Sequence, residues 1–214
     1  SETSLEERDW ETHKSILSGE IYEGDENKEF WSLHVCTAKG NILIDGVVVT
    51  KGNANGTGVE YSRGGAIYNG SGSTSGLSIV VKNSVFSNNS AKSGGVSFGL
   101  DWTVTNSTFS GNEATGGGVV SNGTWNAQNC GFINNKGDYG GVANGAFGWT
   151  VENCLFEGNE GLFGGVSFDA GFDAKNSKFK NNIASSGGVS YNSRWSVENC
   201  QFTDNQATGG GGVS

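Results

Sequence analysis

From residue 79 onward, apolar and polar side chains follow a pattern that repeats about every 23 positions. In each repeat a large apolar residue is followed two positions later by a smaller one, as Trp102 is by Val104, and in all repeats but the first a polar residue stands between them. This alternation has the two-residue period of a half-buried β-strand. A Phe stands five residues further on, as Phe109 does, within a second short segment. The pattern therefore predicts short strands separated by turns.

Three kinds of residue recur around the strands, with steps of 23 or 24 residues. The Phe positions are Phe86, Phe109, Phe132, Phe156, Phe179 and Phe202. The Asn positions that precede each Phe by three residues are Asn83, Asn106, Asn129, Asn153, Asn176 and Asn199. The Asn positions that follow each Phe by three residues are Asn89, Asn112, Asn135, Asn159, Asn182 and Asn205. A Gly-Gly-Val comes next, beginning at Gly94, Gly117, Gly140, Gly164, Gly187 and Gly211.

A period of 23 residues is too short for paired-helix repeats, and Asn, Gly, Ser and Thr are poor helix formers. Connections between parallel strands are strongly biased to the right hand. We therefore predict an all-β fold, a right-handed single-stranded parallel β-helix (β-solenoid) of about eight coils with three strands in each. We expect one continuous domain, with divergent N-terminal coils over 1–40, an early coil with longer loops over 41–78, and regular repeats over 79–214.

In such a fold each residue lies ~4.8 Å from its equivalent in the previous coil, so every repeated position becomes a stack. We expect the Phe residues to stack inside the coil. The two Asn positions are expected at turns, because Asn tolerates the left-handed backbone, and their stacked amides can form ladders of hydrogen bonds. The glycine pairs are expected where the coil bends and backbones approach closely.

A large aromatic residue opens most repeats, four positions before the first Asn. The Trp members are Trp102, Trp125, Trp149 and Trp195, and Phe172 stands at the same position. Each lies two residues from a Val or Ala that should face inward, so the alternation favours the core. The alternative is a row of aromatic faces in an outer groove that contacts glycans, with Asp169 and Asp173 as further contacts.

Charge and composition narrow the choice of partners. The net charge is −9, and residues 1–29 hold ten acidic residues against three basic ones. Phosphate backbones need clustered Lys and Arg, so we expect no nucleic-acid partner. No apolar run approaches the ~18 residues of a membrane helix, so we expect no membrane span in this segment. Among 214 residues there are 37 Gly and no Pro, which excludes collagen and Pro-rich linkers.

Metal and thiol chemistry find little support in the sequence. Cys130, Cys154 and Cys200 occupy a repeat position that other repeats fill with Ser, which predicts a slot for a small side chain and buried free thiols. Neither His lies in the regular repeats and no Cys-x-x-Cys occurs, so we expect no zinc. We predict no cofactor, and calcium at the acidic N-terminal residues is left open without a supporting motif.

Catalysis has one candidate pair of carboxylates, Asp169 and Asp173, at a spacing that a glycosidase could use. Solvated loop acids are the simpler interpretation. His13 and His34 stand in no recognisable pattern of nucleophile and base. We therefore predict no catalytic residues and a protein that is not an enzyme.

The repeats also resemble a known family. Phe-x-x-Asn, as at Phe86 to Asn89, and Gly-Gly-Ala-Ile at Gly64 to Ile67 are similar to the repeats of chlamydial polymorphic outer-membrane proteins and related bacterial β-helix surface proteins. Residues 2–12, 16–19, 43–46 and 52–54 are similar to the opening coils of large secreted bacterial β-helix proteins. The resemblance implies an extracellular or cell-surface location and a passenger or stalk region within a longer polypeptide.

The resulting expectation is a non-catalytic, extracellular structural or adhesive β-helix segment: a surface adhesin, a stalk or passenger domain, or a fibre subunit that assembles end to end. Its expected partners are other copies of itself or flanking β-helix coils, together with host or environmental glycans or proteins. The alternative is a carbohydrate-binding or polysaccharide-cleaving β-helix. Its outer groove would lie near Asp101, Asp169, Asp173 and Arg194.

Overall fold

The computed structural model describes residues 9, 12, 14–20, 32–70, 77–145 and 148–210. These residues form short strands in four parallel sheets and no helix. The sheets stack as a β-solenoid in which about six turns follow the spacing of about 23 residues. The predicted all-β parallel β-helix is therefore confirmed. Among the described residues there is no helix with the length and apolarity that crossing a membrane requires.

Each coil runs through the four sheets in a fixed order. The Trp sheet comprises β3 (Ile42–Asp45), β7 (Ser78–Lys82), β11 (Asp101–Thr105), β15 (Trp125–Gln128), β19 (Trp149–Glu152), β23 (Gly171–Lys175) and β27 (Arg194–Glu198). The Phe sheet comprises β1 (Ser15–Ser18), β4 (Val47–Thr50), β8 (Val85–Ser87), β12 (Thr108–Ser110), β16 (Gly131–Ile133), β20 (Leu155–Glu157), β24 (Lys178–Lys180) and β28 (Gln201–Thr203).

The other two sheets complete the coil. The Ala sheet comprises β5 (Asn53–Ala54), β9 (Ser90–Ala91), β13 (Glu113–Ala114), β17 (Lys136–Tyr139), β21 (Glu160–Phe163), β25 (Ile183–Ser186) and β29 (Gln206–Gly210). The Ser sheet comprises β2 (Cys36–Ala38), β6 (Ile67–Asn69), β10 (Ser97–Phe98), β14 (Val120–Ser121), β18 (Ala143–Asn144), β22 (Ser167–Phe168) and β26 (Ser190–Tyr191).

The expectation of three strands per coil was wrong, because the Ala sheet adds a fourth. Its strands are as short as the two residues Glu113–Ala114, directly after a buried Asn. A two-residue strand cannot display a period of two, so alternation does not reveal it.

The core consists of two aromatic stacks that run along the coil. The Phe side chains from Phe86 to Phe179 are fully buried, and neighbouring rings stack, as Phe86 and Phe109 do at 5.2 Å between centroids. Trp102 and Trp125 stack at 4.7 Å in the Trp sheet. The two stacks also meet each other, since Trp125 contacts Phe109 in a T-shaped arrangement at 5.1 Å. Aromatic pairs of these geometries contribute about 0.5–1.5 kcal/mol each beyond their buried area.

Most corners between the described strands have a residue with left-handed backbone, although the corner between Ala114 and Val120 has none. At the corner between the Trp and Phe sheets it is the first Asn of the repeat, with φ of 48° at Asn83 and 55° at Asn129. At the next corner it is the residue before the second Asn, as at Asn88, Gly111 and Asn134. The second Asn was expected to supply the left-handed backbone here, and that expectation was wrong. Its side chain is used inside the coil, as described below.

The corner between the Ala and Ser sheets holds the glycine pairs. The second glycine of each pair lies against the backbone of the following coil. A Cβ on Gly118 would overlap the carbonyl oxygen of Gly141 and would lie 2.7 Å from that of Lys136. The prediction of close backbone approach at these pairs is confirmed. The pair at Gly211 lies outside the described residues.

We predict that Gly118→Val lowers the free energy of unfolding by at least about 2 kcal/mol, because rigid backbone atoms fill the space the side chain would need. The matched control is Gly171→Ala, since a Cβ there meets nothing nearer than 3.6 Å and its φ is not left-handed. Urea denaturation of both variants measures the difference. Equal stability of Gly118→Val and the unmodified chain would contradict the assignment of this corner.

Candidate functional site

The second Asn of each repeat forms a buried ladder inside the coil, which we call the inner Asn ladder. In Asn112 the amide Nδ2 donates to the Phe86 carbonyl oxygen and to Oδ1 of Asn135, each at 3.0 Å. Its own Oδ1 accepts from the backbone N and from Nδ2 of Asn89, each at 3.1 Å. Both donor hydrogens and both acceptor positions of the amide are therefore satisfied.

The same bonds recur along the inner Asn ladder, and its members from Asn89 to Asn182 are fully buried. A buried amide that is fully hydrogen-bonded ties one coil to the next without leaving an unsatisfied polar group. These residues are therefore structural, as the sequence predicted for this Asn position.

The first Asn of each repeat lies on the outside of the coil and has a different structural role. Asn129 Nδ2 donates to Asn106 Oδ1 at 3.2 Å, and Asn106 Nδ2 donates to Asn83 Oδ1 at 3.4 Å. Asn153, Asn176 and Asn199 share the left-handed backbone, with φ between 50° and 54°. This outer set shapes the corner, and its amide bonds are exposed.

We predict that Asn135→Ala costs at least about 2 kcal/mol of stability, because Asn112 loses the acceptor for two donors and the Phe109 carbonyl loses its donor. Asn129→Gly is the control, since glycine adopts the φ of 55° and only an exposed bond is lost. We expect its effect to stay within about 0.5 kcal/mol. Chemical denaturation compares the two, and equal losses would contradict the distinction between the inner and outer positions.

The Trp residues belong to the core. Trp102, Trp125 and Trp149 are exposed by 2%, 1% and 0%, so these three indoles have no face available to a glycan. Their Nε1 atoms are buried and have no hydrogen-bond partner among the described residues. Trp195 differs, because it is half-buried and its Nε1 donates to Ser167 Oγ at 3.2 Å.

The cysteines are free thiols, as predicted for Cys130, Cys154 and Cys200. Cys130 and Cys154 are buried, whereas Cys200 is half-buried. The neighbouring Cys130 thiol and burial both raise the pKa of the Cys154 thiol well above its usual value. A raised pKa lowers the thiolate fraction, so this thiol is a poor nucleophile and metal ligand at neutral pH.

We predict that a thiol reagent at pH 8 modifies Cys200 much faster than Cys154 in the folded protein, because Cys154 is buried and protonated. Unfolding in urea should make the two rates equal. Mass spectrometry of peptides from timed labelling measures both rates. Fast labelling of Cys154 in the folded state would contradict its buried position.

The candidate carboxylates of Asp101, Asp169 and Asp173 differ in their positions and hydrogen bonds. Asp169 occupies a corner position with φ of 48°, and its Oδ1 accepts from Asn192 Nδ2 at 3.3 Å. Asp101 accepts from both the backbone N and the hydroxyl of Thr124. Asp173 is exposed on the outer face of the Trp sheet, between Thr150 and Ser196 in the neighbouring strands. Asp169 is therefore a turn residue and Asp173 a strand residue, and both are exposed.

Asp173 and Arg194 border an open depression of about 270 Å³ on the outer face of the Trp sheet. Its lining residues are Gly148, Gly171, Phe172, Asp173, Arg194, Trp195 and Ser196. Two of the four residues named for the predicted groove thus lie together, while Asp101 and Asp169 are not part of this lining. Gly148 and Gly171 were missed, although each stands directly before an inward aromatic where other repeats have Asp101 or Thr124.

A second depression, of about 370 Å³, lies on the Ala sheet. Its charged lining residues are Glu113, Lys136 and Asp138. Lys136 Nζ lies 3.0 Å from Glu160 Oε1, and this carboxylate raises the pKa of the lysine. The pair is exposed, so it contributes little to stability.

In the described part of the chain no three His, Cys, Asp or Glu side chains are placed to hold a metal ion. Most acidic residues among 1–29, where calcium was left open, lie outside the described residues. The chain has no significant match among protein-family models, curated proteins or solved structures. The resemblance to chlamydial polymorphic outer-membrane proteins stays a prediction from the repeats alone.

Proposed function

We propose that this chain is a non-catalytic structural or adhesive segment of an extracellular surface, built as a β-solenoid rod. The observation that carries the proposal is the inner Asn ladder, which joins successive coils from Asn89 to Asn205 without a gap. In a solenoid each coil contacts only its neighbours, so an unbroken set of identical joints gives an extended body that resists local opening.

The chemistry of the repeated residues supports the same proposal. The Asn amides, the aromatic rings and the buried thiols are all used to pack one coil on the next. The outer face carries exposed ion pairs such as Lys175 with Glu198 at 2.9 Å and Lys180 with Glu157 at 2.9 Å. These pairs suit a solvated surface rather than a reaction centre.

The adhesive part of the proposal is tested by displaying the chain on a non-adherent bacterium and counting the cells retained on host-cell and glycan-coated surfaces. We expect greater retention than with cells that carry the display scaffold without this chain, because only the former present the outer face of the coils. Equal retention would contradict adhesion. Cleavage of any polysaccharide by the purified chain would contradict the non-catalytic part.

End-to-end assembly is a second candidate, and exposed core positions favour it. The Phe position of the repeat is partly exposed in the last described coil, where Phe202 is 37% exposed, and Val197 on β27 is 52% exposed. At the other end of the Phe sheet, Leu17 aligns with Val49 of β4 and is 42% exposed. A further coil stacked on these strands, supplied by the continuing chain or by another copy, would bury these side chains and pair with the strand edges.

We expect concentrated protein to form filaments with a ~4.8 Å axial repeat, visible by electron microscopy and diffraction. Phe202→Glu should abolish them, because a charge at the stacking position cannot be buried without a partner. Leu162→Glu, at an exposed position of β21, is the matched control and should still assemble. Monomeric behaviour of the unmodified chain at high concentration in sedimentation would contradict this candidate.

A further inference from the structure

The depression on the Trp sheet forms where two positions on the outer face of the sheet are glycines and so carry no side chain. Gly148 and Gly171 directly precede Trp149 and Phe172, and the equivalent residue of the next coil is Arg194, which pairs with Gly171 in the sheet. The inward rings of Phe172 and Trp195 border the same space. The outer face of the sheet is thus interrupted by a hollow at these two coils.

The backbone favours glycine at position 148 but not at position 171. Gly148 has a φ of 84°, so its backbone favours glycine. Gly171 is not left-handed, and a Cβ there would lie 3.6 Å from Gly148 N, which is ordinary contact. Neither backbone conformation nor packing therefore requires glycine at 171. What its missing side chain does is leave the depression open.

Two opposite charges border the hollow. The carboxylate of Asp173 and the guanidinium of Arg194 are exposed, and neither has an ion-pair partner among the described side chains. The neighbouring cation differs in this respect, because Lys175 pairs with Glu198 at 2.9 Å. The hollow therefore offers a planar set of donors, a carboxylate acceptor and an apolar border within one space.

We propose that this depression binds a carboxylated sugar residue of a glycan. The guanidinium of Arg194 donates two parallel hydrogen bonds to the sugar carboxylate, the geometry in which Arg exceeds Lys. Sugar hydroxyls donate to Asp173, and the apolar C–H face of the ring lies against Trp195, which is half-buried, whereas Phe172 is only 2% exposed. Asp173 disfavours a ligand that is anionic throughout, such as a nucleic acid, because its carboxylate repels a second negative charge.

This inference deepens the adhesive role proposed above by giving it a ligand class, and it rests on that role. A shallow, exposed site binds one sugar weakly, since its charged groups stay partly hydrated. Many copies on one surface would raise the effective strength through simultaneous contacts. The binding test uses the soluble chain, so its failure is separate from failure of the adherence test.

The experiment titrates the ¹⁵N-labelled chain with two oligosaccharides that each carry one uronic acid among neutral sugars, galacturonic acid in one and glucuronic acid in the other, and follows amide shifts at residues 171–173 and 194–196. Gly171→Thr fills the hollow with a side chain that another repeat already carries at this position, Thr124. We expect it, and Arg194→Gln, to weaken binding at least about tenfold. Lys178→Gln removes an exposed positive charge on β24 and should leave the affinity unchanged within a factor of two.

Three results would overturn the proposal. These are the absence of shifts with either acidic oligosaccharide, equal loss of affinity in Lys178→Gln and Arg194→Gln, and unchanged affinity in Gly171→Thr. An uncharged oligosaccharide of equal length and free glutamate are the comparison ligands. Equal binding of the first would remove the role of the carboxylate, and equal binding of the second would remove the role of the sugar. Urea denaturation confirms that each variant is folded.

Discussion

A carboxamide inside a protein has four hydrogen-bonding positions, and a coil can bury it only if all four are met. In this chain the coil before each inner Asn supplies a carbonyl acceptor and two donors, and the coil after it supplies the last acceptor. The bonds fix the axial separation and the lateral register of adjacent coils together. The aromatic stacks can then form, because their rings are held at 4.7–5.2 Å.

The corners between the sheets meet a second requirement, a sharp change of chain direction after each strand. Four short strands in about 23 residues require four sharp bends, and at most of the described corners a left-handed residue makes the bend. Asn and Gly exchange freely at one such corner, as at Asn134 and Gly158, because both tolerate positive φ. The high content of these two residues therefore follows from the number of corners. Asp169 is used in the same way, with a φ of 48° at its corner.

Much of the fold could be predicted because its stacks are visible as repeated letters. The period placed Phe109 and Val104 in the core, and the alternation placed Trp102 beside them. The strand Glu113–Ala114 was hidden, since two residues carry no period. The corner at Asn88 was hidden because Gly111 replaces Asn in the next repeat. The hollow at Gly171 depends on side chains that are missing, and a missing side chain resembles a turn glycine in a sequence.

Each inner Asn donates to Oδ1 of the next inner Asn and accepts from Nδ2 of the previous one. The same pair of groups therefore meets wherever two regular coils stack. If one whole repeat were duplicated or deleted, the inner Asn of each remaining coil would still face an inner Asn in the adjacent coil. In-frame recombination can therefore change the number of repeats while the same core packing is retained. Surface features confined to one coil, such as the pairing of Gly171 with Arg194, are free to diverge while the joints are retained.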